Sequence, residues 1–109
     1  MKIIRTKFFN NQVLVLSKKY QNIIEDLSDF EKDFKWEPFS DLWSQIFKYR
    51  IKNSSIPTWK RGWFRMIIKI HGDKILPILI YSKTIKENVS DNEIIHALEK
   101  IFQELQESI

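Results

Sequence analysis

Four residues of the sequence have side chains suited to binding and processing a phosphate group. Arg50, Arg65, Tyr81 and Lys83 lie in three segments that are rich in β-branched and aromatic residues or alternate between apolar and polar types, as β-strands do. Residues two apart on a strand share a face, so these side chains would converge if helices cover the other face of the sheet. The alternative is an ordinary solvated sheet face with surface lysines.

Arginine, lysine and tyrosine together can cleave RNA without a metal ion. In that reaction the 2′-hydroxyl attacks the adjacent phosphate, and guanidinium groups stabilise the charge that develops on the phosphoryl oxygens. A tyrosine or lysine among cations has its deprotonated form favoured, so Tyr81 or Lys83 would take the 2′ proton. Another cation would neutralise the leaving 5′-oxygen.

The sequence gives little support for a disulfide, a thiol nucleophile, a glycine-rich phosphate loop or a metal site. Cysteine is absent, which excludes disulfide scaffolds, cysteine–zinc sites and thiol nucleophiles. The only glycines are Gly62 and Gly72, so the chain has no glycine-rich phosphate loop. His71 and His96 are far apart and lack carboxylates at ligand spacing. We therefore expect no metal and no cofactor.

The charge of +4 is distributed unevenly. Residues 46–74 carry eight basic side chains and one acid, for a local charge of +7, whereas the chain from Glu87 onward carries −5. This imbalance predicts a polyanion-binding surface in the middle of the chain. The basic residues of the segment are Lys48, Arg50, Lys52, Lys60, Arg61, Arg65, Lys69 and Lys74.

The apolar pattern predicts one small two-layer α+β domain over residues 1–109, with the order β-α-(α)-β-β-β-α. A strand over Lys2–Arg5 precedes a helical stripe, which we break near Ser17 into a hairpin. Residues 34–45 read as a connector or short helix. The other predicted strands are Phe47–Ile51, Trp63–Ile70 and Ile75–Lys83, with a hairpin turn at 71–74. Pro77 indicates an edge position or an unpaired N–H. The last predicted element is a closing helix with a capping box at 90–93.

Several segments resemble the RelE/ParE superfamily of bacterial toxins across nearly the whole chain. They are Lys48-Tyr49-Arg50-Ile51-Lys52-Asn53-Ser54-Ser55, Lys60-Arg61-Gly62-Trp63-Phe64-Arg65, Ile80-Tyr81-Ser82-Lys83 and the run from Lys86 to Ile94. The resemblance implies the predicted fold and the toxin of a type II toxin–antitoxin pair. The RelE-like branch, which the chain resembles more closely, cuts mRNA in the ribosomal A site.

The resemblance also implies roles for individual residues. Arg65 matches the arginine that binds the scissile phosphate, and Tyr81 and Lys83 match positions of stacking or proton-transferring residues. Lys60 and Arg61 fall in a basic loop that contacts RNA, and we count Lys60 with the catalytic set. The remaining predicted RNA-binding residues are Lys48, Arg50, Lys52, Trp59, Trp63 and Lys69.

The chain departs from the family at two tryptophans. Many members read Gly-Lys-Ser-Gly-Gly-Phe-Arg where this chain has Trp59-Lys60-Arg61-Gly62-Trp63-Phe64-Arg65. A position that needs a positive φ would resist this change. The indoles either pack against the protein or stack on an RNA base, which is worth about 1–3 kcal/mol.

Two other functions stay open from the sequence: a ParE-like inhibitor of DNA gyrase, and a non-catalytic relative that binds RNA or protein. The expected partners are a cognate antitoxin, the ribosome and mRNA. The first residues lack a signal-peptide pattern, and the longest uncharged apolar run, Ile75–Tyr81, is far shorter than the ~20 residues of a membrane span. We expect a soluble, cytoplasmic protein.

Overall fold

A computed structural model describes residues 2–32, 34, 40–57 and 62–107 of the chain. It has the predicted α+β class, with five strands and three helices in these ranges. The strands are β1 (Lys2–Ile3), β2 (Ser40–Trp43), β3 (Ile46–Ile51), β4 (Phe64–His71) and β5 (Lys74–Ser82). The helices are α1 (Lys7–Ser17), α2 (Ile23–Lys32) and α3 (Asp91–Glu107).

The strands form one sheet in the order β1-β5-β4-β3-β2. Only the short β1 runs parallel to its neighbour; every other pair is antiparallel. The predicted hairpin turn between β4 and β5 is confirmed, and Gly72 supplies its positive φ of 64°. A glycine at the first central position is the usual choice for a two-residue hairpin of type II′.

Strand β2 corrects the second half of the predicted connector or short helix over residues 34–45, of which residues 35–39 lie outside the described ranges. It pairs with β3 through a two-residue turn in which Ser44 and Gln45 both have positive φ, 48° and 65°. This conformation is typical of a type I′ turn, where Asn-Gly is the recognisable signal. Ser-Gln carries no such signal, and the aromatic residues nearby suggested packing rather than a strand.

Strand β5 has an irregularity that strict alternation does not predict. Ile67 pairs with Leu79 and Ile68 with Pro77, so Ile78 is an extra residue in β5. This β-bulge shifts the faces: Ile75 joins the core on one side of the sheet, whereas Ile78 joins the core on the other side. Strict alternation along the predicted strand Ile75–Lys83 would place Ile75 on the same face as Tyr81 and Lys83, and this expectation is wrong before the bulge.

The outer edge of β5 is protected by two devices. β1 pairs with its first two residues. Further along, the Gln12 amide of α1 donates to the Ile78 carbonyl at 3.0 Å and accepts the Ile80 N–H at 3.1 Å. The side chain thus bonds the edge as a neighbouring strand would, which limits unwanted strand pairing there.

The predicted helical hairpin is confirmed, with the break after Ser17. Its apolar stripe packs on one face of the sheet, where Phe9, Ile23 and Leu27 are essentially fully buried. The hairpin is also tied to the turn after β3. The buried Asp26 carboxylate accepts the Ser54 N–H at 2.9 Å and the Ser54 hydroxyl at 2.6 Å. The helical hairpin and the sheet form the two predicted layers.

Helix α3 lies on the second face of the sheet. Its stripe residues Ile94, Ala97 and Ile101 form a buried cluster with Ile67 and Ile78 among others. The predicted cap is present: the Ser90 hydroxyl accepts the Glu93 N–H at 3.1 Å. The Glu93 carboxylate forms an ion pair with Lys86. We expected this face, which carries Arg65 and Tyr81, to be open, and α3 covers part of it.

Candidate active site

Arg50, Arg65 and Tyr81 lie side by side across three strands. Arg50 of β3 pairs with Arg65 of β4, and Arg65 pairs with Tyr81 of β5. Residues directly opposite one another in antiparallel strands have Cβ atoms about 4.5–5.5 Å apart. The structure thus brings three of the four residues singled out from the strand pattern into one cross-strand row, which we call the Arg–Arg–Tyr row.

The fourth residue, Lys83, lies one rung beyond this row. Its N–H donates to the Trp63 carbonyl at 3.3 Å, which continues the pairing of β4 and β5 past the ends of both strands. Residues 63 and 65 have the same parity on β4, as do 81 and 83 on β5, so Trp63 and Lys83 extend the face of the row. The side chains of both residues are exposed.

The row passes from solvent into the protein interior. Arg50 is exposed, whereas Arg65 and Tyr81 are each only 7% exposed. The cover on the Tyr81 side is α3, because Tyr81 belongs to the same buried cluster as Ile94 and Ala97. The Tyr81 hydroxyl is buried and has no hydrogen-bond partner among the described residues.

Burial and neighbouring charges set the titration of the row. Burial lowers the pKa of the Arg65 guanidinium, and the positive charge of Arg50 lowers it further, while Tyr81 raises it. Arginine nevertheless stays protonated in proteins. The row therefore holds two positive charges next to each other, and an anion bound between them would reduce their mutual repulsion.

The expected deprotonation of Tyr81 is wrong in direction. Burial raises the pKa of this phenol; Arg65 lowers it, and the charge of Glu93 raises it again, leaving it above the usual value. Burial beneath α3 and a nearby carboxylate outweigh the adjacent guanidinium. At neutral pH Tyr81 is a hydroxyl that can donate a hydrogen bond or a proton. The raised pKa disfavours a role as general base.

The predicted RNA-binding lysines of β3 and β4 lie at different distances from the row. Lys69 is four residues further along β4, about 13 Å at the usual rise of a strand, and its Nζ donates to the Ser44 carbonyl at 2.6 Å. Lys48 is half-buried and pairs with Ile67, two residues from the row. Lys52 is exposed just after β3. Lys60, Arg61 and Trp59 lie outside the described residues.

A hydroxyl cluster supports the end of β5, and the sequence contains no signal for it. The Tyr20 hydroxyl, at the start of the turn between α1 and α2, hydrogen-bonds Ser82 Oγ at 2.9 Å and Thr84 Oγ1 at 3.0 Å. Ser82 and Thr84 also hydrogen-bond each other at 2.8 Å. Ser82 follows Tyr81 directly, so the cluster holds the backbone that carries the row. Residues more than 60 positions apart form it, which no local pattern can show.

Two features are absent from the part of the chain that the structure describes. No three histidine, aspartate or glutamate side chains there are grouped so that they could hold a metal ion. No helix there is both long and apolar enough to cross a membrane.

The comparisons with known proteins add no assignment. No model of a known protein family matches the chain, and no curated protein matches it either. Evidence for a function therefore comes from the geometry of the Arg–Arg–Tyr row.

Proposed function

We propose that this protein is the toxin of a type II toxin–antitoxin pair, a RelE-like endoribonuclease that cuts mRNA on the ribosome. The observation that carries the proposal is the Arg–Arg–Tyr row, which sets two guanidinium groups beside a protonated phenol. The row lies within the segment that carries +7. Such a set of donors suits a phosphate that gains charge during reaction.

The proposed chemistry assigns one task to each part of the row. Arg50 and Arg65 bind the non-bridging phosphoryl oxygens and stabilise the charge of the transition state. The 2′-oxygen forms a bond to phosphorus, the bond from phosphorus to the 5′-oxygen breaks, and a cyclic 2′,3′-phosphate results. The raised pKa of Tyr81 suits it to protonate the leaving 5′-oxygen. The 2′ proton leaves in the same step, to Lys83 or Lys60 as the neutral amine, and Tyr81 regains its proton from solvent.

The charge of the chain supports an acidic partner, and the proposed activity indicates where in the cell the protein works. A segment with +7 in 29 residues favours an acidic protein partner as well as RNA. A toxin that acts on translating ribosomes works in the cytoplasm, and we place this protein there.

One observation favours a second candidate function, a non-catalytic binder of RNA or protein. Arg65 and Tyr81 are only 7% exposed, so a phosphate reaches them fully only if the first turn of α3 shifts. If the cover stays in place, Arg50, Lys52 and Lys83 still offer an exposed basic surface, which binds anions without reacting with them.

A pair of assays separates these functions from gyrase inhibition. Purified protein is added to a reconstituted translation reaction, where protein synthesis and intact mRNA are measured, and to a DNA gyrase supercoiling reaction. The proposal expects loss of intact mRNA in the first and normal supercoiling in the second. Inhibited supercoiling with intact mRNA would identify a ParE-like protein. Bound but uncut RNA would identify the non-catalytic binder.

A further inference from the structure

Trp63 is the one aromatic side chain among the large apolar residues that the described ranges leave exposed; it is 41% exposed. The other aromatic residues near the row, Tyr49, Phe64 and Tyr81, are all at least nine-tenths buried. An exposed indole costs hydrophobic free energy that packing would recover. The exposed part of the indole is therefore available for contact with a ligand.

The backbone around Trp63 accommodates the indole without strain. Neither Gly62 nor Trp63 has a positive φ; the described residues with positive φ are Ser44, Gln45 and Gly72. The close approach occurs at Gly62 instead, where an added Cβ would lie 2.2 Å from Ile56 Cδ1. Gly62 thus lets the backbone there lie close to the Ile56 side chain, and position 63 is free to carry a large side chain.

Trp63 lies directly beyond the Arg–Arg–Tyr row. Its carbonyl accepts the Lys83 N–H, so it occupies the next rung on the same face as Arg65. Two residues along a strand span about 7 Å. A nucleotide whose phosphate contacts Arg50 and Arg65 therefore has the indole within reach of its base.

We propose that Trp63 is a base-stacking platform that binds the nucleobase next to the phosphate held by Arg50 and Arg65, and that it favours purines there. The inference rests on the proposed function and names the substrate feature that the site selects. Stacking on an aromatic side chain is worth about 1–3 kcal/mol per base, and the larger ring of a purine covers more of the indole. The cations beside it hold the backbone of the strand but do not distinguish bases.

Binding to uncleavable RNA tests the stacking directly. The probes are fluorescein-labelled oligo(A) and oligo(U) with 2′-O-methyl groups, and the measurement is fluorescence anisotropy. We expect tighter binding of oligo(A) by the wild type. Trp63→Leu keeps apolar bulk but removes the aromatic face, so it should weaken oligo(A) binding about 5- to 150-fold, the equivalent of the stacking energy. Trp63→Phe should retain part of the preference.

The matched control is Phe102→Leu, because this half-buried aromatic side chain contacts His71, at the opposite end of β4 from Trp63. It should leave the preference for oligo(A) unchanged. A folded Trp63→Leu protein with affinity within twofold of the wild type and the same preference would overturn the platform. If that Trp63→Leu protein still cuts mRNA, the proposed function is not contradicted. A wild type that cuts no mRNA but shows Trp63-dependent stacking would overturn the proposed function alone.

Discussion

Tyr49 and Tyr81 lie on opposite faces of the sheet, and burial raises the pKa of each phenol, that of Tyr49 to about 12. A raised pKa means that the folded state holds the proton more tightly than the unfolded state, where a phenol titrates near 10. The contribution of Tyr49 to the free energy of unfolding is therefore fully present below pH 10. It is lost as the pH rises from 10 to about 12.

Replacing Tyr49 with phenylalanine tests this direction. The wild type should lose about 2 kcal/mol of unfolding free energy to Tyr49 between pH 9 and 12, and Tyr49→Phe should lose correspondingly less. Urea denaturation at several alkaline pH values measures the difference between the two slopes, which removes the contribution of groups common to both proteins. Parallel stability curves for the two proteins would contradict the assigned shift.

The spacing of residues predicted that Arg50, Arg65, Tyr81 and Lys83 would share a face, because period two fixes the face of a strand residue. The strand register that places the first three in one row was not predicted. The spacing also did not predict the protonation state of Tyr81. That state depends on α3 and Glu93, more than ten positions away in sequence. The direction of a pKa follows from burial and neighbouring charges, and neither is visible in a strand pattern.

At the scale of secondary structure, the contact between α1 and the edge of β5 makes a specific prediction. Gln12→Ala removes two hydrogen bonds to the β5 backbone and leaves those groups to be satisfied by water. We expect the free energy of unfolding to fall by about 1–2 kcal/mol. The measurement is urea denaturation at neutral pH.

Asn11→Ala is the control for the Gln12 variant, because Asn11 is exposed on the same helix. It should change stability by less than about 0.5 kcal/mol. Equal losses from the two substitutions would show that the Gln12 amide does not support the strand edge.

The elements that were predicted correctly have strong local signals. The hairpin α1–α2 has a long apolar stripe, α3 has Ser90 as its cap, and the β4–β5 turn has a glycine. β2 and the bulge at Ile78 were missed because their causes lie in tertiary structure. A Ser-Gln turn and an extra strand residue are stable only when a neighbouring strand pairs with them.

At the scale of the whole molecule, the charge distribution predicts how RNA binding depends on salt. Each phosphate contact with a single strand contributes a slope of about −0.7 to the plot of log affinity against log salt concentration. Arg50→Ala should reduce the slope by about that amount and weaken binding to all sequences alike. Lys74→Ala, at the opposite end of β5 from Tyr81, should change neither quantity. Equal effects of the two variants would mean a diffuse surface rather than a local site.

The central claim is that Arg65 binds the phosphate at which mRNA is cut, and mapping of mRNA 5′ ends tests it most directly. Wild type, Arg65→Ala, Arg65→Lys and Lys74→Ala are added to mRNA with and without translating ribosomes, after thermal melts have established that each is folded. We expect cuts inside codons that require ribosomes and persist in Lys74→Ala. Arg65→Ala should slow them roughly 10²–10³-fold, as for loss of one preorganised donor, and Arg65→Lys should recover part of the rate. Cleavage by folded Arg65→Ala at the wild-type rate, or no cleavage by the wild type, would contradict the account.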